Sequence, residues 1–213
     1  MVKAIFWDND GVLVDTERLY FQASAQVLRR VGIQLTPAAF AEISLRRGES
    51  VFDLAAHLLP AEVDRLRRSR DELYGELLQR HPTVITGVEQ TLRLLHGRVR
   101  MAIVTSCRRD HFETIHRNSA LLSYFDFVLA REDYRHSKPH PEPYLTALAR
   151  SGLEAGECLA VEDSERGLTA ACRAGLRCLA IPAGLAPDGD FSSAFKILRD
   201  VREVPAVVFG HRG

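Results

Sequence analysis

One interruption governs how this chain can fold. Five short apolar runs, 4–7, 101–104, 127–130, 158–161 and 178–181, lack the polar alternation of a half-exposed strand. They read as parallel strands covered on both faces. The later runs alternate with helical patterns at 88–95, 110–121, 143–151 and 167–174, with Pro143 placed for a first turn and Gly152 and Gly175 for helix ends. Between the first and second strands, from 16 to about 81, there is no strand candidate. Apolar residues recur there at helical spacing, first Leu19, Ala23, Val27 and Leu28, then Val51, Leu54, Ala55 and Leu58. Thr36-Pro37 and Pro60 mark helix starts. The pattern predicts an α/β fold, a doubly wound, Rossmann-like parallel sheet with an all-helical domain inserted after its first strand. The expected division is a core of 1–15 and 87–213 and an insertion of 16–86.

The chain has 213 residues, enough for such a core plus a modest insertion. Lys plus Arg and Asp plus Glu number 28 each, so no net field draws a polyanion, and binding to nucleic acid or a membrane is not expected. The densest basic run, Arg65, Arg67, Arg68 and Arg70, is interleaved with Asp64, Asp71 and Glu72 and reads as a solvated helix face. No apolar stretch reaches the roughly 18 residues that a bilayer requires. The opening residues turn acidic too soon for a secretion signal. Cys107, Cys158, Cys172 and Cys178 form no C-x-x-C pair, so reduced thiols and a cytoplasmic location are expected. No obligatory protein partner is evident.

Polar residues gather just after the apolar runs, where the C-terminal ends of parallel strands would bring them together. They are Asp8-Asn9-Asp10-Gly11-Val12, Thr105-Ser106-Cys107 and Glu162-Asp163-Ser164, and before the helix at Pro143 stands Ser137-Lys138-Pro139. Four carboxylates at one sheet edge would repel one another unless a cation offset them. Hard oxygen ligands of this kind suit Mg²⁺, which keeps several waters and a substrate phosphate in its octahedron. Two carboxylates in a loop mean little alone. Placed directly after a strand and followed in order by Thr, Lys-Pro and Glu-Asp, they point to chemistry.

The order DNDGV, VTS, SKP and VEDS resembles the haloacid dehalogenase-like superfamily, in its phosphatase and phosphomutase branch, over essentially the whole chain. The helical stretch behind DNDGVLVDTE is similar to the small helical cap of some members. The resemblance implies a Mg²⁺-dependent phosphatase acting on a small phosphorylated metabolite such as a sugar phosphate. Asp8 would be the nucleophile that becomes an aspartyl phosphate, and Asp10 the acid that protonates the leaving oxygen and then the base that activates water. Thr105 would bond the phosphoryl oxygens and Lys138 offset their charge. Mg²⁺ would lie on the Asp8 carboxylate, the Asp10 carbonyl and Asp163, with Glu162 as a further ligand or a support for one. Ser106 and Cys107 follow Thr105 and can offer backbone N–H groups to phosphate. Glu17, where the core passes into the cap, either faces the substrate or serves as a hinge or surface residue. Arg46, Arg47 and Arg108 are candidates to grip an anionic substrate.

The nearest alternative is a sugar phosphomutase similar to β-phosphoglucomutase. That family has a histidine in its first cap helix and an arginine beside the cap-loop glycine. The matching positions are Tyr20 and Val51, with Gly48 as the glycine, which favours hydrolysis. A receiver-like signalling module also gathers acids, Thr and Lys around Mg²⁺, but it is shorter, lacks the insertion and has no use for a proton donor at Asp10.

Overall fold

The computed structural model describes residues 1–81, 84–117, 119–185 and 188–210. Six parallel strands form one sheet: β1 Ala4–Trp7, β2 Arg100–Val104, β3 Phe127–Leu129, β4 Cys158–Glu162, β5 Arg177–Ala180 and the two-residue β6 Lys196–Ile197. Their order is β3-β2-β1-β4-β5-β6. The chain steps outward from β1 to β3, then returns to β4 on the other side of β1. The crevice at that change of direction lies beyond the ends of β1 and β4, where Asp8 and Glu162-Asp163 stand.

Strand alternation gives the two faces different side chains. Ile5, Trp7, Met101, Ile103, Leu159, Val161 and Leu179 point one way, into a core completed by α4 (Val88–Leu95), α5 (Arg109–His116) and α8 (Val204–Phe209). Trp7 is fully buried there. The other face is built of smaller residues, among them Ala4, Ala102, Ala160 and Ala180. Against it lie α6 (Glu142–Ser151) and α7 (Glu165–Arg173), whose Ala147, Ala170 and Ala171 are fully buried. Small residues on both sides let α7 pack close to the sheet, and its N-terminus rises beside the crevice.

The stretch between β1 and β2 is helical: α1 (Glu17–Arg29), α2 (Pro37–Phe40) running into a π-helical turn, a short 3₁₀ helix (Val51–Ala55) and α3 (Pro60–Arg80). Thr36 Oγ1 accepts the Ala39 amide at 3.1 Å, so the expected start at Thr36-Pro37 is a true cap. These helices share a core of their own, including Val27, Leu28, Phe40, Phe52 and Val63. Ala23, Tyr74, Leu77 and Leu78 instead extend the large sheet core. The two crossings of the segment run side by side, with an antiparallel bridge between Val14 and Val84 and the Ile85 amide donating to the Leu13 carbonyl at 3.0 Å. Of the expected insertion 16–86, residues 82 and 83 lie outside those described.

Two expectations need correction, and one strand was not expected. The helix expected at 110–121 ends at His116, residue 118 lying outside those described. Ser119 caps a separate 3₁₀ turn by accepting the Leu121 amide. The basic run on α3 is not uniformly solvated. Arg65 and Arg68 are exposed, but Arg70 is buried, because it shares the helix face of Val63, Tyr74 and Leu77. β6 carries no apolar run and gave no sequence signal. No helix among the described residues is long and apolar enough to cross a membrane.

Candidate active site

Each strand end contributes one piece of the crevice. The Asp8 amide donates to the Val161 carbonyl at 2.9 Å, which carries β1 pairing one residue past the strand and sets Asp8 beside β4. Gly11 then turns the chain with φ +82°, and a Cβ there would collide with the Asp163 carboxylate. Only glycine meets both demands. Thr105 continues β2, and its amide donates to the Leu129 carbonyl at 3.0 Å. Ser164 caps α7 by accepting the Gly167 amide at 3.1 Å. Gly167 itself leaves room for Glu162, whose carboxylate a Cβ would strike.

Lys138 is the hub. Its buried Nζ donates to Asp8 Oδ1 at 2.5 Å, to the Val104 carbonyl at 2.7 Å and lies 2.7 Å from Glu162 Oε1. Three acceptors use its three protons. Burial alone would lower its pKa, yet the Asp8 and Glu162 carboxylates hold it above the usual lysine value. Glu162 is fully buried and also accepts from the Tyr144 hydroxyl at 2.5 Å. Burial pushes its pKa up to about 7, against the lowering by Lys138, with Asp8 adding to the rise. Burial, then the charges of Asp8, Glu17 and Glu162, raise Asp163 well above the carboxylate range.

One lysine therefore faces three buried carboxylates. Asp8, Glu162 and Asp163 each offer an oxygen, all within 4.8 Å of one another. Glu162 Oε2 is buried with no hydrogen-bond partner among the described residues. An acceptor-only set with an orphaned oxygen and excess negative charge fits a hard divalent cation.

Asp10 stands opposite. Thr16 Oγ1 donates to its Oδ1, and Thr105 Oγ1 and Asn9 Nδ2 each donate to its Oδ2 at 3.3 Å. Burial and then the Asp8 charge raise its pKa, opposed by those three bonds. A carboxyl so placed is suited to carrying a proton.

Asp8, Asp10, Thr105, Ser106, Lys138 and Asp163 line one cavity of about 310 Å³. Its far wall comes from the helical segment and includes Glu17, Tyr20, Arg70 and Tyr74. Arg108 reaches the same cavity but pairs with Asp71 and Asp110 at 2.9 and 2.6 Å. Arg47 is not among the lining residues. It is exposed and pairs with Glu42 and Glu49 at 3.7 and 3.1 Å. Arg46 likewise pairs with Glu42, at 3.4 Å. Glu17 accepts the Leu185 amide at 3.2 Å, and burial, partly offset by that bond and reinforced by Asp10 and Asp8, pushes its pKa up to about 7. Burial and the charges of Asp10 and Asp8 hold the Cys107 thiol protonated, so it is no nucleophile. His136 and His140 are exposed. A larger groove of about 980 Å³ along α1 contains none of the strand-end residues.

Sequence reasoning passed over several of these residues. Tyr144 follows the expected helix start at Pro143 and is fully buried against Glu162. Arg70 bonds the Tyr20 hydroxyl, sits 4.4 Å over that ring and pairs with Asp71 at 2.7 Å. Its spacing of seven from Val63 and four from Tyr74 was the available signal. Arg166, on the first turn of α7, donates to the Ser44 carbonyl at 2.9 Å and has no carboxylate partner among the described residues. Tyr20 lines the cavity and Val51 is buried in the helical core.

The sequence pattern described as haloacid dehalogenase-like hydrolase matches residues 5–181. A validoxylamine A 7′-phosphate phosphatase of Streptomyces hygroscopicus subsp. limoneus is 29% identical, over 96% of this chain and 96% of its own. A phosphorylated carbohydrates phosphatase of Thermotoga maritima is 31% identical over 82% of each chain. Among solved structures, CbbY of Rhodobacter sphaeroides in complex with phosphate superimposes with a TM-score of 0.83 at 24% identity, covering 96% of both chains.

Proposed function

The chain belongs to the haloacid dehalogenase-like hydrolase family and is a phosphoric monoester hydrolase, and from that premise we propose that it is a Mg²⁺-dependent phosphatase of phosphorylated carbohydrates that works through an aspartyl phosphate on Asp8. The observation that carries the proposal is the placement of Asp8 between Lys138 and the Glu162–Asp163 pair, in a cavity also lined by Asp10 and Thr105.

Mg²⁺ would be held by the Asp8 carboxylate, the Asp10 carbonyl and Asp163, with Glu162 beside them, and when bound it supplies the positive charge that lets a carboxylate approach a phosphate dianion. The residues of the chain do the rest. Asp8 attacks phosphorus through the oxygen not engaged by Lys138. Lys138 and Thr105 stabilise the charge on the phosphoryl oxygens. Asp10 gives a proton to the departing oxygen, then takes one from the water that cleaves the aspartyl phosphate.

The helical segment 16–86 acts as a cap, setting Tyr20, Arg70 and Tyr74 over the strand-end residues to exclude water and choose the substrate. The two relatives support the carbohydrate class, and a cavity of about 310 Å³ with several charged and hydroxyl groups in its lining suits it. Reduced thiols and a cytoplasmic site of action accompany the reading, and all four cysteines are free.

The test is phosphate release from a panel of phosphorylated metabolites, with Mg²⁺ and with chelator. Release from sugar or polyol phosphates that chelator abolishes and Mg²⁺ restores is the expected result. Full activity in chelator, or none on any panel member, would contradict it.

A further inference from the structure

His116 touches neither the cavity nor any group used in the proposed reaction, yet it is 3% exposed at the last turn of α5. Its Nε2 lies 2.7 Å from Asn9 Oδ1. Asn9 is fully buried between the two loop aspartates. Asn9 Nδ2 in turn lies 3.3 Å from Asp10 Oδ2. The three residues make a chain of hydrogen bonds from the apolar core to the proton donor.

Chemistry fixes the direction of that chain. An ionised Asp10 only accepts, so the Asn9 NH₂ must face it and the Asn9 carbonyl must face His116. The carbonyl also only accepts, so His116 Nε2 carries the ring proton. His116 Nδ1 is then a bare lone pair, and that atom is buried with no partner among the described residues. The other tautomer would bury an N–H with nothing to bond, at a larger cost. Burial lowers the ring's pKa to about 4, so it is neutral near pH 7. Once Asp10 is protonated it can also donate, and without His116 the Asn9 amide could turn over and accept that proton, drawing it away from the leaving oxygen. With it, only one orientation leaves no buried N–H of the His116 ring unpaired.

We infer that His116 is a positioning residue that acts through Asn9, locking the Asn9 amide so that its N–H holds Asp10 Oδ2 and aims the carboxyl at the leaving oxygen. The inference rests on the proposed role of Asp10 as proton donor. A partner that only supported the fold would affect all substrates alike. A partner that aims the donor matters where the leaving oxygen needs a proton.

The test compares kcat/KM on fructose 1-phosphate, or the alkyl phosphate of the panel that the wild type turns over fastest, with kcat/KM on p-nitrophenyl phosphate. p-Nitrophenolate departs without a proton. His116→Phe should lose about tenfold on the alkyl ester and less than about twofold on the aryl ester. His116→Gln, whose amide N–H has the reach of Nε2, should restore the alkyl value. Asn9→Leu, of similar shape, should show the same alkyl-selective loss and serves if His116→Phe does not fold. Equal losses on both esters, or no loss on either, would overturn the inference. A wild type inactive on every alkyl phosphate would instead overturn the proposed function on which it stands.

Discussion

Lys138 Nζ donates to Asp8 Oδ1 at 2.5 Å across 130 residues of sequence, so the one buried ammonium of the site is committed to the proposed nucleophile before any substrate arrives. Its side chain is 3% exposed and that of Asp8 11%, so solvent does little to weaken the pair. A buried carboxylate that loses its cation keeps its desolvation cost without compensation.

Lys138→Met should therefore lower turnover by about 10²–10³-fold, since it removes one preorganised charge from the proposed phosphoryl site. Asp8 and Glu162 would also be left facing each other unpaired, so stability should fall by about 3 kcal/mol or more in urea unfolding. A folded variant within tenfold of wild-type turnover would show that this ammonium is not part of the phosphoryl site.

The tight turn at Gly11 offers a separate handle on the proposed metal site. Gly11→Ala should displace the Asp163 carboxylate and raise the half-saturating Mg²⁺ concentration at least tenfold in an activity titration. Gly32 is the control, with a similar φ of +78° and nothing within 4 Å of an added Cβ. Gly32→Ala should cost about 1 kcal/mol of backbone strain and leave the Mg²⁺ response alone. Equal Mg²⁺ responses in the two variants would contradict the role given to Asp163.

His116 predicts a pH dependence of stability. Its pKa falls from 6.5 to about 4 on folding, so between those values the unfolded chain binds the extra proton. The stability it contributes is complete above pH 6.5 and is lost as the pH falls toward about 4, by about 3 kcal/mol at most. Urea unfolding of wild type and His116→Gln from pH 7 to pH 4.5 should show a smaller acid loss in the variant. Parallel curves would show that the ring is not held neutral.

The strands and the residues at their ends were legible because a buried parallel strand leaves a plain mark, an unbroken apolar run, and polar residues just past it can gather only at the crevice. Asp8, Thr105 and Asp163 were placed at the crevice in that way, and Lys138 by its position just before a helix start. The groups that aim and balance them were not. Tyr144 and Arg70 occupy positions in helices whose burial depends on which helix packs over them. His116 and Asn9 meet across 107 residues, and no local pattern records that meeting. Arg47 shows the converse limit, because a loop arginine near the right glycine carries no sign of whether Glu42 and Glu49 will claim it.

The division of labour between Asp8 and Asp10 is the central claim, and Asp10→Asn isolates it. With p-nitrophenyl phosphate and Mg²⁺, the first step needs no acid, but the aspartyl phosphate then has no base to activate water. Rapid mixing should give a burst of about one p-nitrophenolate per enzyme and then a slow phase. Acid quenching followed by peptide mass spectrometry should find the phosphoryl group on Asp8. Undiminished steady turnover without a burst, or a phosphoryl group trapped on another residue, would contradict the account.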